Sequence, residues 1–496
     1  MPSFRTGTPV ALRDIPELAI DEFRAGVISS LCDGHTLSAL FGAPAGDRVQ
    51  LFAVMANPVA GDLSILRTLV AEAYPCLTIE CPQASRFERE IAEQWGIRPE
   101  GHPWLKPIRF HEAYRPGGAE ASRPVPGMAN FFSMDGQQVH EVAVGPVHAG
   151  IIEPGHFRFQ CHGEQVFHLE ISLGYQHRGV ERALVGGPGK RTIHLMETLA
   201  GDTSIGHATA YCEAIEALSG TVVPARAQVL RGVALELERL ANHTGDLGAL
   251  AGDVGYLPSA AYCGRIRGDF LNLTAALCGS RFGRGMIRPG GVQFDLQRSE
   301  VRELLRRLQR ALDDVEGAAD QLWNAPSVQA RFQDTGAIAR HDCEALGLVG
   351  PPARACGIER DVRQDFPSGI YRFAQIPVPK WHTGDVFGRA WVRWLEIQRS
   401  GVFLLEQLAA LPDGPLLSDA SPLLPDHLAV SLTEGWRGEI CHVAMTDAKG
   451  CFAHYKVVDP SFHNWMGLAI AMRNQQISDF PLCNKSFNLS YCGHDL

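Results

Sequence analysis

The chain has 496 residues, of which 45% are hydrophobic and 20% are charged, and its formal net charge is −10. This composition is ordinary for a globular protein, and the length corresponds to roughly two to four domains. The acidic balance excludes a nucleic-acid-binding surface, because binding phosphates requires a basic excess. Nucleic acid is therefore not an expected partner.

The N-terminal segment has no features of a targeting signal. Acidic residues lie where a signal peptide would be apolar, namely Asp14, Glu17, Asp21 and Glu22. No apolar run in the sequence approaches the ~18–20 residues that span a bilayer. We therefore expect a cytoplasmic protein that docks on membrane proteins.

The thirteen cysteines are expected to be reduced thiols, because the chain is large and shows no secretion signal. Zinc and iron–sulfur sites usually take two ligands from one tight turn, as in Cys-x-x-Cys. The closest pair here, Cys76 and Cys81, has four residues between its members. We therefore expect most cysteines to be small buried hydrophobic residues, and we predict no metal ligands in this chain.

Residues 1–111 are predicted to form a small α/β-sandwich-like domain. The apolar run at 49–56 predicts a strand, and the spacing of apolar residues in 63–73 predicts a helix. Such alternation is typical of a small mixed domain. Proline and glycine residues between Tyr114 and Met128 predict a linker, which we place at 112–138.

Residues 139–496 are predicted to form a second domain that is mainly helical and contains an antiparallel sheet. Apolar and polar residues alternate at 157–162 and at 167–172, on either side of a turn at Gly163-Glu164, and this pattern predicts two strands. Residues 233–243 have apolar residues along one helical face. The predicted fold class of the whole chain is α+β.

Several sequence blocks resemble one family of oxidoreductase subunits. Residues 86–105 look like the signature of the 30-kDa-type subunit of respiratory complex I, in which a charged helix leads into a Gly-His-Pro turn. From Gly145 onward the chain is similar to the large subunit of group 4, membrane-bound [NiFe] hydrogenases and to the related 49-kDa-type subunit of complex I. The blocks that carry this resemblance, in the family's order, are 145–156, 173–181, 288–292, 350–363 and 384–389.

The resemblance also covers the two segments that hold nickel and iron in the hydrogenases, here 197–207 and 486–496. In that family each segment supplies a Cys-x-x-Cys pair. In this chain Ala200 and Thr203 occupy the first pair's positions, Ser490 and Gly493 occupy the second pair's, and Cys492 lies one position away. Because none of the four can supply a thiolate, the resemblance implies an energy-converting hydrogenase-related subunit without a nickel–iron site.

The resemblance implies a set of ionisable cavity residues. Glu153 matches a glutamate that passes protons in hydrogenases, Arg437 matches an arginine suspended over the metal, and Asp202 stands in the emptied ligand turn. A turn carboxylate at Glu153 and a purely structural Arg437–Asp202 pair are the open alternatives. Further candidates from the family blocks are His156 and His207 for a proton relay, and His148, His177 and Arg178 for the cavity or an interface.

A quinone site is a second implication of the resemblance. In complex I a histidine and a tyrosine of this subunit position the quinone headgroup. Here Ile152 takes the histidine's place and Gly201 takes the tyrosine's. The usual quinone-reducing residues are therefore missing, and quinone binding stays an open alternative.

The expected function is that of a large subunit in a complex-I-like or hydrogenase-4-like complex that couples electron transfer to proton or sodium movement. The implied partners are a small iron–sulfur subunit of the 20-kDa type, a ferredoxin-like subunit and antiporter-like membrane subunits at the cytoplasmic face of the membrane. The fused 30-kDa and 49-kDa modules favour the formate-hydrogenlyase branch. The alternatives are a quinone-reducing NADH dehydrogenase subunit and a non-catalytic scaffold.

No Gly-x-Gly-x-x-G turn supports NAD binding, and iron–sulfur clusters are expected only in a partner.

Overall fold

The structure is a computed structural model that describes residues 3–115, 124–150 and 152–496. Its strands are β1 Ser3–Phe4, β2 Pro9–Ala11, β3 Glu17–Leu18, β4 Thr36–Ala45, β5 Arg48–Asn57, β6 Asp62–Val70, β7 Ala73–Pro75, β8 Arg98–Glu100, β9 Val139–Val144, β10 His156–His162, β11 Gln165–Ser172, β12 Ile287–Arg288, β13 Gly291–Val292, β14 His427–Gly435, β15 Gly438–Thr446 and β16 Phe452–Val458.

The α-helices are α1 Ile20–Cys32, α2 Ser85–Trp95, α3 Val180–Leu184, α4 Thr192–Met196, α5 Ser204–Ser219, α6 Ala225–Asp253, α7 Leu257–Cys278, α8 Arg298–Trp323, α9 Pro326–Phe332, α10 Arg340–Leu346, α11 Gly350–Ala355, α12 Val362–Asp365, α13 Val386–Ala409, α14 Pro460–Ala471, α15 Phe480–Phe487 and α16 Tyr491–Asp495. Short 3₁₀ helices lie at Leu12–Asp14, Pro82–Ala84, Gly369–Arg372 and Ile477–Asp479.

Five sheets organise the strands of the described residues: two contain only two strands, β7 with β8 and β12 with β13, and three are larger. Strands β1, β6, β5 and β4 form the first in that order, with β3 pairing parallel to β6. The second has the order β16-β15-β14-β2, and the third has the order β11-β10-β9. The ladders of the second and third sheets are antiparallel. The mixed fold class and the antiparallel sheet of the larger part agree with the prediction.

The predicted strands agree with the structure, whereas the helix predicted at 63–73 is wrong. Residues 62–70 form strand β6, which pairs antiparallel with β5 from Asn57–Asp62 to Val49–Val70. Side chains on both faces of β6 are buried, so apolar residues follow one another in its sequence. Such a run fits the period of a helix as well as that of a buried strand. Residues 62–70 form a strand because they pair with β5.

The long helix α6 lies at the centre of the larger part. It extends well beyond the predicted 233–243 and packs along α7, α13 and α5. Its buried residues lie all around the helix rather than on one face, which is typical of a helix enclosed by protein on every side. The two segments that resemble metal-binding turns lie beside this helix in the fold. Within the described residues, no helix is long and apolar enough to cross a membrane.

The N-terminal and C-terminal parts share one hydrophobic core. Strand β2 pairs with β14 in the second sheet, and side chains from the first sheet, such as Phe41 and Phe52, cluster with Val430 and Val443. The domain boundaries at 111 and 138 stay a prediction. Of the predicted linker, residues 116–123 lie outside the described residues, and residues 124–138 have no helix or strand.

The cysteines are free thiols in this fold, and eleven of the thirteen are buried. They pack among apolar side chains of the two core clusters, as Cys161 and Cys441 do. Burial raises the pKa of the Cys263 thiol to about 11, so that thiol is protonated at neutral pH. The structural role expected for most cysteines is consistent with this packing.

A buried charge cluster joins the N-terminal part to the rest of the chain. Lys456 on β16 donates to Glu90 on α2 at 2.6 Å and to Glu181 on α3 at 3.0 Å. Arg109 also bonds Glu90 and donates to the carbonyl oxygen of His494 at 2.9 Å. Burial alone would raise the pKa of Glu181, but Lys456 and Arg109 lower it to about 2.

Removing the lysine charge from this cluster is expected to destabilise the fold strongly. Lys456→Met leaves Glu181 and Glu90 buried with one cation instead of two, and breaking a buried pair in this way costs about 3–5 kcal/mol. Lys380→Met removes the charge of an exposed pair with Glu359, which should cost about 0–1 kcal/mol. Urea unfolding of the two variants measures the difference, and equal small losses would contradict the role assigned to the cluster.

Candidate active site

The two segments that correspond to metal-binding turns meet in the structure. The first forms the turn before α5, and the second forms α16, whose N-cap is Ser490. The Arg178 guanidinium joins them by donating to the carbonyl oxygens of Thr198 at 2.7 Å, Leu199 at 3.1 Å and Cys492 at 3.4 Å. Arg178 therefore fixes the spacing of the two segments, although its own side chain lies at the surface.

A cavity of about 460 Å³ opens between these segments and α6. Charged and amide side chains dominate its wall, together with a few apolar ones. The wall is formed by Ile152, Glu153, Gly201, Asp202, Asn242, Gly245, Asp246, Ala249, Arg267, Phe282, Arg437, Asn484, Lys485, Asn488, Leu489, Ser490 and Tyr491. Its volume suits a small-molecule site.

An ion pair crosses the cavity wall at the position of the first turn. The Arg437 guanidinium donates two parallel hydrogen bonds to the Asp202 carboxylate, at 2.6 and 2.8 Å. It also donates to the backbone oxygen of Asn488 at 2.5 Å and lies 3.9 Å from the ring centre of Trp436. Burial raises the pKa of Asp202, but the charge and hydrogen bonds of Arg437 outweigh burial and bring that pKa below its usual value.

The Asp202 turn is held from its other side as well. Its backbone oxygen accepts hydrogen bonds from Trp436 Nε1 at 3.0 Å and from Asn242 Nδ2 at 2.9 Å. Arg437 also donates to Thr203 Oγ1 at 3.2 Å. These bonds leave the Asp202 carboxylate facing the guanidinium in a bidentate geometry, which is the strong form of this pair.

The four positions that correspond to metal-binding cysteines offer no thiolate. Ala200 and Thr203 are buried in the first turn, and the Ser490 hydroxyl accepts the backbone N–H of Gly493 at 2.9 Å. Gly493 packs directly on Asp459: a Cβ added there would lie 2.6 Å from the carboxyl carbon of Asp459. The carboxylate of Asp459 therefore fills the space that a side chain at 493 would need.

Glu153 lies on the cavity wall beside the one nearby cysteine. The Cys492 thiol donates to Glu153 Oε1 at 3.1 Å and contacts Ser490 Oγ at 3.4 Å. Burial and the neighbouring Glu153 charge raise the pKa of Cys492 to about 11. Cys492 is therefore a protonated hydrogen-bond donor at neutral pH, and Glu153 is its acceptor.

A buried chain of hydrogen bonds runs from Asp459 away from the cavity. Asp459 contacts His207 Nε2 at 3.0 Å, His207 Nδ1 contacts His442 Nε2 at 3.1 Å, and His442 Nδ1 contacts the Tyr455 hydroxyl at 2.9 Å. Burial lowers the pKa of His442 well below its usual value. His207 thus lies behind the cavity rather than on its wall. The chain extends into the sheet of β14–β16.

The remaining predicted histidines occupy the edge or the exterior of the site. His148 contacts the Tyr491 hydroxyl at 3.0 Å through Nε2, which places it just outside the wall. His177 bonds the backbone oxygen of Asp495, and burial lowers its pKa to about 4. His156 lies on β10 with its ring against Phe131, outside the cavity. The structure therefore brings Glu153, Asp202 and Arg437 together but not all of the predicted set.

Sequence reasoning missed several wall residues. Asn242 and Asp246 lie one turn apart on α6 and face the same cavity. Asp246 accepts hydrogen bonds from Asn488 Nδ2 at 2.5 Å and from Arg393 Nε at 2.7 Å. Asn242 lies on the predicted helix 233–243 and Asp246 lies beyond its predicted end, so their i, i+4 spacing would have been a signal only if the helix had been extended past 243.

Glu238, on the same helix, was also missed. Its carboxylate accepts the backbone N–H groups of Ile205 at 2.8 Å and Gly206 at 3.2 Å, at the start of α5. Burial raises the pKa of Glu238 to about 8, although those two bonds lower it. Glu238 is therefore a buried carboxyl that is tied by two backbone hydrogen bonds to the start of α5, close to the Asp202 turn. Within the described residues, no three acidic, histidine or cysteine side chains are grouped so that they could hold a metal ion.

The chain matches two protein families along its length. Residues 253–431 match the family described as respiratory-chain NADH dehydrogenase, 49 Kd subunit. Residues 18–119 match the family described as respiratory-chain NADH dehydrogenase, 30 Kd subunit. The matches occur in the order that the sequence blocks predicted.

Individual proteins show the same relationship. Carbon monoxide-induced hydrogenase of Rhodospirillum rubrum is 31% identical over 350 residues, which cover 70% of this chain and 97% of that protein. Formate hydrogenlyase subunit 5 of Escherichia coli is 28% identical over 438 residues, covering 84% of this chain and 76% of that protein. A chain in the structure of the membrane-bound sulfane sulfur reductase, an archaeal respiratory membrane complex, has a similar fold, with a TM-score of 0.68, 22% identity and coverage of 74% of this chain and 100% of that chain.

Replacing Asp202 is expected to destabilise the protein in a pH-dependent way. Asp202→Asn leaves the Arg437 charge without its partner. Because a third of the Asp202 side chain is exposed, we expect a loss at pH 7 below that of a fully buried pair, about 3–5 kcal/mol, but above that of a surface pair, about 0–1 kcal/mol. Because the pKa of Asp202 is lower in the folded state, the pair stabilises the fold above the unfolded pKa of a carboxyl, about 4. That contribution disappears as the pH falls through the lowered folded pKa, so the difference between wild type and variant should shrink.

Urea unfolding at a series of pH values from 7 downward measures this difference. Asp269→Asn is the matched control, because Asp269 pairs with Arg265 on an exposed face of α7 and its loss should cost less than about 1 kcal/mol. A cost for Asp202→Asn that is no larger than the control's, or that grows on acidification, would refute the assigned role of the pair.

Proposed function

Because the chain belongs to the family of hydrogenase large subunits and 49-kDa subunits of respiratory NADH dehydrogenase, we propose that it is the large subunit of a membrane-bound oxidoreductase complex. The two family matches, 30-kDa and 49-kDa, lie in one chain, and formate hydrogenlyase subunit 5 aligns across both regions. This arrangement favours the hydrogenlyase branch, with formate or reduced ferredoxin rather than NADH as electron donor.

The partners of the proposed complex are a small iron–sulfur subunit, a ferredoxin-like subunit and antiporter-like membrane subunits. Support comes from an exposed apolar side chain near the cavity: Val147 is 80% exposed. Val147 precedes His148, whose ring contacts Tyr491 on the wall. Exposed apolar residues at the rim of a site are typical of a protein interface. The chain would then lie at the cytoplasmic face, held there by membrane subunits, with the iron–sulfur clusters in its partners.

In this proposal the cavity holds no nickel–iron centre. A centre held by four cysteines does not fit the residues present, because Ala200, Thr203, Ser490 and Gly493 carry no thiol. The observation that carries this conclusion is the contact between Gly493 and Asp459, since a cysteine placed at 493 would collide with a buried carboxylate. The Arg437–Asp202 pair bridges the two segments instead.

Proton exchange is the chemistry that this cavity supports best. Glu153 on the wall accepts from the Cys492 thiol, and the chain from Asp459 through His207 leads into the interior. Carboxyl and imidazole groups in hydrogen-bond contact can pass protons. We assign Glu153 and His207 to this function, with the Arg437–Asp202 pair holding the cavity wall and with Arg178, His148 and His177 positioning the cavity or an interface. His156 has no contact with the cavity and remains the least supported candidate.

Quinone reduction is a second candidate function, favoured by one observation. The Tyr491 hydroxyl and His148 Nε2 are 3.0 Å apart, and Tyr491 lies on the cavity wall beside Ile152, Phe282 and Leu489. A tyrosine and a histidine in contact beside apolar residues resemble the pair that positions a quinone in complex I. They are different residues from those expected, because Ile152 and Gly201 occupy the usual positions.

Metal analysis of the intact complex tests the central conclusion. We expect iron from partner clusters, no stoichiometric nickel per copy of this chain, and no hydrogen evolution with a reduced dye as donor. Cells are grown with added nickel so that supply does not limit the result. Stoichiometric nickel together with hydrogen evolution would overturn the proposal and show that other ligands hold the metal.

Glu153→Gln separates a proton-exchanging subunit from a scaffold. The amide keeps the acceptor for Cys492 but carries no exchangeable acid, so turnover should fall by roughly 10²-fold, as for loss of a general acid or base, while the complex still assembles. Glu153→Asp should retain part of the activity with a shifted pH profile. Formate, reduced ferredoxin and NADH are first screened as donors, with a soluble quinone as one acceptor.

Co-purification of the partner subunits with each variant shows whether the complex still assembles. Glu303→Gln, on the exposed side of α8, is the control for loss of a surface carboxylate. Full turnover of Glu153→Gln in an assembled complex would refute the proton role and leave the scaffold. Quinone-dependent turnover in the wild-type complex would instead select the second candidate function.

A further inference from the structure

A second cavity, of about 500 Å³, lies apart from the active-site cavity and shares none of its wall residues. It is enclosed by α5, the N-terminal half of α6, the 3₁₀ helix Gly369–Arg372 and the end of β14. The segment that leads into β2 closes one side through Thr6, whose hydroxyl accepts the backbone N–H of Leu432 at 2.9 Å. This size is within the range of pockets that enclose a small organic molecule.

One carboxylate in this cavity has no cationic partner. Glu213 on α5 accepts hydrogen bonds from the Ser368 hydroxyl at 2.6 Å and the Ser431 hydroxyl at 3.0 Å. It forms no ion pair with any residue in the described part of the chain. Burial raises the pKa of the Glu213 carboxyl above its usual value, although those hydroxyls lower it. Glu213 is partly exposed to the cavity, so a bound molecule can reach it.

The other charged groups in the interior of the cavity are paired with neighbours of opposite charge, whereas Arg372 at the mouth is not. Glu216 and Arg231 form a bidentate pair at 2.6 and 3.0 Å. Glu434 accepts from Arg354 at 2.9 Å, and Arg363 pairs with Asp361 and Glu236. Arg372 is exposed at the mouth and donates to a backbone oxygen. The interior therefore presents one carboxylate that is free to receive a cation.

Two buried hydroxyl groups on the cavity wall also find no hydrogen-bond partner among the described residues. They are Thr209 Oγ1, one helical turn before Glu213 on α5, and Thr433 Oγ1 on β14. Thr209 is 7% exposed and Thr433 is 4% exposed. Leaving a buried hydroxyl without a partner costs about 1–3 kcal/mol, and such groups in a folded protein call for a specific explanation. A ligand with N–H groups would satisfy them.

The mouth of the cavity is apolar. Val222 and Phe373, which line it, are 80% and 81% exposed, and Leu424 is 39% exposed. Ile370 and Val223 continue this surface inward. An inorganic cation would fill only the polar end of such a space, whereas the apolar part requires carbon atoms to cover it.

We propose that this cavity binds an organic monocation, an ammonium group attached to an apolar body of about six carbons. The ammonium donates to the Glu213 carboxylate and to the hydroxyls of Thr209 and Thr433, and the apolar body lies against Val223, Ile370 and Phe373. The site is independent of the function proposed for the active-site cavity, because no residue is common to the two.

Binding of n-hexylammonium chloride to the purified full chain, and to the complex that contains it, tests this proposal. Isothermal titration and ligand-observed saturation-transfer NMR measure the affinity, with n-hexanol as the neutral probe of equal length. We expect hexylammonium to bind the wild-type chain at least tenfold more tightly than hexanol. Glu213→Gln should remove that preference, and Thr433→Val should weaken it while leaving hexanol binding unchanged.

Glu316→Gln, on an exposed position of α8, is the matched control and should keep the wild-type preference. Circular dichroism shows whether each variant is folded, and Thr433→Val provides a second test if Glu213→Gln does not fold. Equal affinity for hexanol and hexylammonium would overturn the proposal, and so would an unchanged preference in folded Glu213→Gln. Binding to the isolated chain that is lost in the complex would show that a partner protein covers the cavity, which also refutes a small-molecule site.

Discussion

The bidentate pair between Arg437 and Asp202 is the interaction on which the geometry of the candidate active-site cavity depends. Its guanidinium reaches the first turn through Asp202 and the segment before α16 through the backbone oxygen of Asn488. An ion pair with an additional backbone acceptor is a strong, directional link, and here it connects the two segments.

The pair is accurately placed because a buried charge network supports the turn that carries it. Arg239 on α6 donates to the backbone oxygens of Glu434 at 2.7 Å and Gly435 at 3.2 Å. Glu396 on α13 holds Arg239 in place at 2.9 Å. Gly350 has a φ of +67°, and a Cβ there would lie 2.0 Å from the backbone oxygen of Arg437. Charges on two helices and one close backbone approach thus fix the Arg437 turn.

The sequence alone could predict those helices and strands in which the spacing of apolar residues fits only one type of secondary structure. The alternation at 157–162 and 167–172 and the apolar run at 49–56 led to the observed strands. Residues 63–70 are buried on both faces of β6, so their apolar residues fit the period of a helix as well as that of a strand. Strand β2 pairs with β14, which lies more than 400 residues later in the chain. Strand β2 has only three residues, and so short a segment carries no sequence pattern from which this pairing could be predicted. The Arg437–Asp202 pair was foreseeable because family resemblance placed both residues at one cavity.

Other parts of the site could not be predicted because they depend on contacts between distant segments. Asp459 precedes a proline and caps α14, which by itself indicates only a helix start. Its importance comes from the lack of a side chain at Gly493 and from the His207 ring. One carboxylate thereby fills the space beside the second turn and begins the histidine chain. Any side chain at 493 would have to displace that carboxylate from both roles, so the glycine at 493 and the buried His207–His442 chain are physically coupled.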